Sequence, residues 1–137
     1  MEARVEWADM DAFKHVNNTV YLRYFERIRM ELFMESGFME YMKKHNIGPI
    51  LASTQCKFKA PLSYPDSILI GTHITDIEEE SFLMQYAIYS EKLNRVAAEG
   101  NGLLVYFDYE QGRKTKIPDQ LRKHLETFSQ QNSRISG

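Results

Sequence analysis

An α+β domain, with one long helix against an antiparallel sheet, is the fold this sequence predicts, and three observations predict it. A broad apolar stripe recurs at helical spacing over residues 18–36. From Ile50 the apolar spacing changes to alternation and keeps it through four segments. The connections between those segments are too short for parallel crossovers, which need about a dozen residues.

Taken in order, residues 3–8 carry a strand-like pattern, and Asp9 to Asn18 are polar and loop-like, with Asn17 or Asn18 suited to capping a helix. The helix then runs from Asn18 to Ser36. Within it Tyr21, Leu22, Tyr24, Phe25, Ile28, Leu32 and Phe33 cover about half the circumference, broader than a surface helix carries. Such a helix is expected to be clasped by a sheet. Gly37 stops it, and Phe38 to Lys44 adds one or two turns before a Gly48-Pro49 break. Strands are predicted at Ile50–Phe58, Ile68–Ile77, Phe82–Ser90 and Val96–Asp108, bounded by turn residues at Pro61–Asp66, Asp76–Ser81 and Glu91–Asn94. With the first strand they make five. Gly100 and Gly102 inside the last of them mark a bulge or close packing. A final helix is expected over Pro118–Phe128, with proline at its first turn, and residues 129–137 are read as a polar, frayed tail. No repeat or linker interrupts residues 1–128, which are read as a single domain.

The chain has 137 residues, 43% of them apolar and 12% aromatic, enough for one core. Its 17 Lys+Arg against 19 Asp+Glu leave a net charge of −2, so no broad field attracts nucleic acid or an anionic membrane. Neither is expected as a partner. No apolar run approaches the ~20 residues that span a bilayer. The first residues enter a strand pattern without a charged and then apolar leader, and Cys56 has no second cysteine to pair with. A cytoplasmic location is the expectation.

The most informative stretch is Trp7-Ala-Asp-Met-Asp-Ala-Phe-Lys-His-Val-Asn-Asn-Thr-Val-Tyr21, continuing to Glu26. It resembles the signature of the hot-dog-fold acyl-CoA thioesterases of the 4-hydroxybenzoyl-CoA thioesterase type, D-x-D-x-x-G-H-V-N-N-x-x-Y ahead of a central helix. Gly48-Pro-Ile50, Lys59-Ala-Pro-Leu62 with Asp66, Ser81-Phe82 and Ile117-Pro118 extend the resemblance over nearly the whole chain. It implies a hot-dog fold, a long central helix wrapped by a five-stranded antiparallel sheet. It also implies an acyl-CoA substrate cleaved to free acid and CoA, and a homodimer or homotetramer with active sites at subunit boundaries.

The resemblance makes Asp11 the catalytic carboxylate. Such a group can deprotonate a water or attack the thioester carbonyl itself, and the residues do not separate the two. Either route puts negative charge on the carbonyl oxygen, which free N–H groups at a helix start can stabilise. The backbone N–H of Asn18 is assigned that role. His15 either hydrogen-bonds near the thioester or locks its loop. Asn17, Tyr21, Lys57 and Lys59 are the candidate substrate contacts. Each has a plainer reading: Asn17 as a cap, Tyr21 as core, and the two lysines, like Arg95, as a solvated strand face. Glu26 and Arg29, three apart, read as a helical ion pair. Lys14 stands where the resemblance would place glycine, a residue that permits positive φ or close approach of a ligand; lysine there is expected either to narrow the site or to add a charge near CoA phosphates.

Other chemistries lack their residues. There is no G-x-S-x-G elbow and no Walker A loop, and His15, His45, His73 and His124 are scattered without metal-ligand spacing. No metal or other cofactor is expected. Two further functions stay open beside acyl-CoA hydrolysis. One is a non-catalytic acyl-CoA-binding module, and the other is a thioesterase acting on acyl carrier protein. A hot-dog dehydratase, pairing a histidine with a separate acid, fits the Asp11-led motif less well.

Overall fold

A computed structural model of the chain describes residues 1–136, with side chains described as far as Ser129. Its elements in chain order are β1 (Glu2–Arg4), a 3-10 turn (Trp7–Asp9), α1 (Asn18–Glu35), α2 (Phe38–His45), β2 (Ile47–Phe58), β3 (Ser67–Thr75), β4 (Ser81–Ser90), β5 (Arg95–Asp108), β6 (Arg113–Lys114) and α3 (Asp119–Ser136). The strand order is β1-β3-β4-β5-β2, with the two-residue β6 pairing β5. β1 runs antiparallel to β3, with Ala3 opposite Ile68. The order of helix and strand is the α+β order expected from periodicity.

Contacts divide the chain into two compact units. The first holds Met1–Arg29, Gln55–Thr72 and Tyr86–Gly100. Its core is the first half of α1, where Phe25 stacks on Tyr86 at 4.6 Å between ring centroids and Tyr21 meets Phe58 edge-on at 5.0 Å. Gly100 belongs here for a steric reason: a Cβ on it would lie 2.3 Å from the Gln55 carbonyl oxygen and 2.6 Å from the Phe25 ring. Glycine lets α1 and β2 come that close to β5. The second unit holds Met30–Thr54, His73–Gln85 and the chain from Asn101. Its core is an aromatic cluster in which Phe38 stacks on Phe33 at 5.2 Å and meets Phe82 and Tyr106 edge-on. Along β4 burial alternates without a break, the mark of a strand with one face on a core.

Several boundaries differ from expectation for identifiable reasons. The first strand ends at Arg4, because the Asp9 and Met10 N–H groups turn back onto the carbonyls of Glu6 and Trp7. β2 begins at Ile47 and carries Gly48-Pro49 inside it, where a break is expected. Proline is tolerated at the start of an edge strand, and β2 has only β5 beside it. α3 continues through the polar residues to Ser136, so the expected tail at 129–137 is helical up to its last residue, Gly137, which lies outside the described residues. β6 makes six strands of the expected five. Leu22, placed in the α1 stripe, is 40% exposed, whereas Tyr21, Tyr24, Phe25, Ile28 and Phe33 are buried.

Candidate active site

The segment before α1 is a tight hairpin. Met10 and Val16 form an antiparallel bridge, and inside it the Asp11 N–H donates to the His15 carbonyl at 2.8 Å while the Lys14 N–H donates to the Asp11 carbonyl at 3.1 Å. The Asp11 carboxylate folds into this turn. Its Oδ1 accepts the Phe13 N–H at 2.8 Å and the His15 N–H at 3.3 Å. Turns in which an aspartate accepts from the backbone two residues on are common before helices. Here the bonds use Oδ1, and among the described residues no donor is assigned to Oδ2.

The hairpin is tied to the helix it precedes. The Asn17 N–H donates to the Asp9 carbonyl at 2.9 Å, so the chain entering α1 lies against the chain leaving the 3-10 turn. Asn17 is the cap: its Oδ1 accepts the Thr19 N–H at 3.0 Å and the Thr19 hydroxyl at 2.9 Å, and its carbonyl accepts the Val20 N–H at 2.9 Å. Asn18 is the first helical residue, and among the described residues nothing accepts its N–H. It is left pointing out of an 18-residue helix whose dipole favours an anion at that end. The assigned acid thus lies in the turn of the hairpin, and the assigned donor opens the helix that follows it.

The other predicted residues are placed as follows. His15 holds the turn through its backbone N–H and carbonyl, and its ring is on an exposed residue. Tyr21 is buried at 2% exposure and its hydroxyl accepts the Leu62 N–H at 3.0 Å, which is the core reading. Burial pushes its hydroxyl pKa up, against the bond from the Leu62 N–H, which lowers it. Lys59 pairs with Glu99 at 3.1 Å, and Lys57 is exposed on β2. Arg29 forms no pair with Glu26. Arg29 is 9% exposed and its guanidinium donates to the Tyr86 hydroxyl at 3.0 Å, because the helix turns Arg29 toward the core and Glu26 toward solvent. Cys56 is free, half-buried on β2, and burial pushes its thiol up, away from nucleophilic use.

Two anchors of the site are residues that the sequence did not single out for it. Leu62 clamps the segment from outside: its carbonyl accepts the Val16 N–H at 2.8 Å while its N–H donates to Tyr21. Met10 supplies a sulfur that accepts the Tyr64 N–H at 3.3 Å. The Lys59-Ala-Pro-Leu62 match in the sequence signals the first, and nothing local signals the second. Lys14, the residue in the glycine position, adopts φ 64°, the left-handed conformation glycine favours.

Two cavities lie away from this chemistry. One of about 740 Å3 is lined by Tyr41, Pro118, Lys123 and His124 among others, and one of about 550 Å3 by Arg4, Tyr64, Asp66 and Lys92. Neither takes a residue from Met10 to Tyr21. A catalytic group must reach the reacting atom, so the polar constellation at Asp11 is the better guide to the site than open volume. Among the described residues no three His, Cys, Asp or Glu side chains come together as metal ligands, and no helix is long and apolar enough to cross a membrane.

Comparison with known proteins bears on the same segment. A family model described as the thioesterase-like superfamily matches residues 5–125. The long-chain acyl-CoA thioesterase FadM of Escherichia coli is 23% identical over 125 residues, 91% of this chain and 95% of that protein. The chloroplastic acyl-acyl carrier protein thioesterase ATL3 of Arabidopsis thaliana is 26% identical over 137 residues, 98% of this chain and 71% of that protein. The structure of a gentisyl-coenzyme A thioesterase superposes with a TM-score of 0.80 at 25% identity, covering 91% of this chain and 98% of its own.

Proposed function

Because this chain belongs to the thioesterase-like superfamily and has its hot-dog fold, we propose that it hydrolyses an acyl-CoA thioester to the free acid and CoA. The observation that carries the proposal is the hairpin of residues 10–16 tied to the start of α1. It brings into one short segment a carboxylate oxygen and a helix-end N–H that, among the described residues, have no partner. Within the superfamily we place the chain with the 4-hydroxybenzoyl-CoA thioesterase type, on the match from Asp9 to Tyr21.

The chemistry follows from those two groups. Oδ2 of Asp11 takes a proton from water beside the thioester carbon, or attacks that carbon to give a mixed anhydride that water then opens. In both routes the carbonyl oxygen becomes anionic, and the Asn18 N–H at the dipole end of α1 stabilises it where it forms. Thiolate of CoA leaves. His15, whose backbone already serves the turn, keeps its ring free to contact the substrate. Lys57 and Lys59 stand near the end of β2 as candidate partners of CoA phosphates, Lys59 already sharing its charge with Glu99. The site is completed at a boundary with a second subunit in a homodimer or homotetramer.

Replacing Asp11 tests the mechanism. Asp11→Asn keeps an oxygen for the Phe13 and His15 N–H groups, so the turn survives while base and nucleophile are removed. The turnover number should fall by about 10²–10⁴-fold, with more lost if Asp11 is a nucleophile. Asp9, whose carbonyl rather than carboxylate holds Asn17, supplies the control: Asp9→Asn should lose much less. Free-thiol release from a panel of aliphatic and aromatic acyl-CoAs is the measurement, and near wild-type turnover in Asp11→Asn would refute the mechanism.

One observation favours a second reading. The two bonds to Oδ1 are what a purely structural aspartate would make, as a non-catalytic acyl-CoA-binding module would require. Binding of acyl-CoA without release of thiol at any chain length would establish it. Turnover of acyl-acyl carrier protein in preference to acyl-CoA would move the substrate to that of the Arabidopsis relative.

A further inference from the structure

Resting on the thioesterase reading above, we propose that Lys14 is a positioning residue for Asp11. Its left-handed backbone closes the turn whose N–H groups hold one carboxylate oxygen, which presents the other to the substrate. Lys14 sits at φ 64°. A residue with a Cβ pays for that conformation and keeps it only where the surroundings over-determine it. The surroundings here are four hydrogen bonds within five residues. Asp11 N–H to His15 carbonyl and Lys14 N–H to Asp11 carbonyl close the backbone, and the Phe13 and His15 N–H groups converge on Oδ1 from either side of Lys14. Two amides flanking a left-handed residue and aimed at one anionic oxygen form a small backbone nest.

The consequence for Asp11 is orientation. An aspartate with two fixed acceptor bonds is restricted in its side-chain torsions, so its free oxygen faces one direction, whereas an untethered aspartate on a half-buried loop would sample several rotamers. The ammonium of Lys14 takes part in none of these bonds. What the turn requires at position 14 is therefore a backbone that accepts positive φ, and activity should rank by that tolerance and not by charge. Glycine adopts the conformation freely and asparagine readily, while a β-branched residue is strongly opposed to it.

The test compares Lys14→Gly, Lys14→Asn, Lys14→Ala and Lys14→Val in the full chain. Turnover number and KM are measured with one acyl-CoA, and amide hydrogen exchange is followed at Phe13 and His15. Lys14→Val should lower the turnover number about ten- to a hundredfold with little change in KM, the scale of a misplaced catalytic group, and should lose amide protection at both residues. Lys14→Gly and Lys14→Asn should recover both despite having no charge. Lys14→Ala should fall between, which keeps the ranking measurable if the valine chain does not fold.

Equal losses in the glycine, asparagine and valine variants would overturn the proposal and assign the role to the ammonium. So would a valine variant that loses amide protection and keeps its turnover number. A wild-type protein inert toward every acyl thioester would instead sink the thioesterase reading. The amide protection tells these failures apart, since it reports the turn whether or not thioester is cleaved.

Discussion

Gly100 shows how much one side chain can decide. A methyl group there would meet the Gln55 carbonyl at 2.3 Å and the Phe25 ring at 2.6 and 3.0 Å, and the first of these is backbone that cannot swing aside. Gly100→Ala should therefore cost about 1–3 kcal/mol, the usual penalty for overpacking a filled core. Gly71→Ala is the matched control. It too lies in a strand, but nothing stands within 4 Å of its added carbon, so its melting temperature should stay close to that of the parent. Thermal melts of the two variants, with Gly71→Ala losing as much as Gly100→Ala, would dismiss the steric account. The glycine was legible as a close approach from its place in a strand. Its partners were not, since Phe25 and Gln55 lie 75 and 45 positions away in the chain.

At the scale of elements, α1 was the most legible because its signals are local. Its cap, its stripe and its stopping glycine all lie within about five turns of chain. β2 was the least legible. Its central residues are exposed on both faces, so the alternation that marks β4 is missing, and its start is hidden behind a glycine and a proline. That exposure has a consequence. A 12-residue strand at the end of the strand order has unpaired backbone groups along one side, which natural proteins seldom leave uncovered. We expect a second copy of the chain to cover it. Sedimentation should find at least a dimer at assay concentration, and introducing lysine at Leu51, which is 37% exposed on that strand, should weaken it. A fully active monomer would end this expectation.

Across the whole molecule, buried tyrosines set a limit at high pH. Tyr21, Tyr24, Tyr86 and Tyr106 all have hydroxyls pushed above the ordinary 10.0 by burial first. For Tyr24 the value reaches about 12, with the Asp9 charge the next cause. The unfolded chain releases these protons near pH 10 while the folded chain keeps them. Stability from this source is therefore complete below pH 10 and is lost as the pH rises through about 12. The hydroxyls of Tyr24 and Tyr106 have no hydrogen-bond partner among the described residues, so Phe at position 24 should leave the fold intact and make the alkaline loss shallower. Phenolate absorbance followed beside circular dichroism would show it. Ionisation of all eight tyrosines before any unfolding would contradict this account.

The sequence by itself determined the α+β order, the long helix from Asn18, the four main strands and the stretch that carries Asp11, because periodicity, capping and turn chemistry are properties of neighbouring side chains. Tertiary structure alone decided what those side chains meet. It turned Arg29 from Glu26 to Tyr86, buried Tyr21 against Leu62, committed one oxygen of Asp11 to its own loop and set Lys14 at positive φ. Three of these four hydrogen bonds are donated by a backbone N–H, and the turn around Lys14 is closed by backbone N–H and carbonyl groups. Every residue but proline carries both, so they leave no mark in the sequence, and only the folded path of the chain brings one to another.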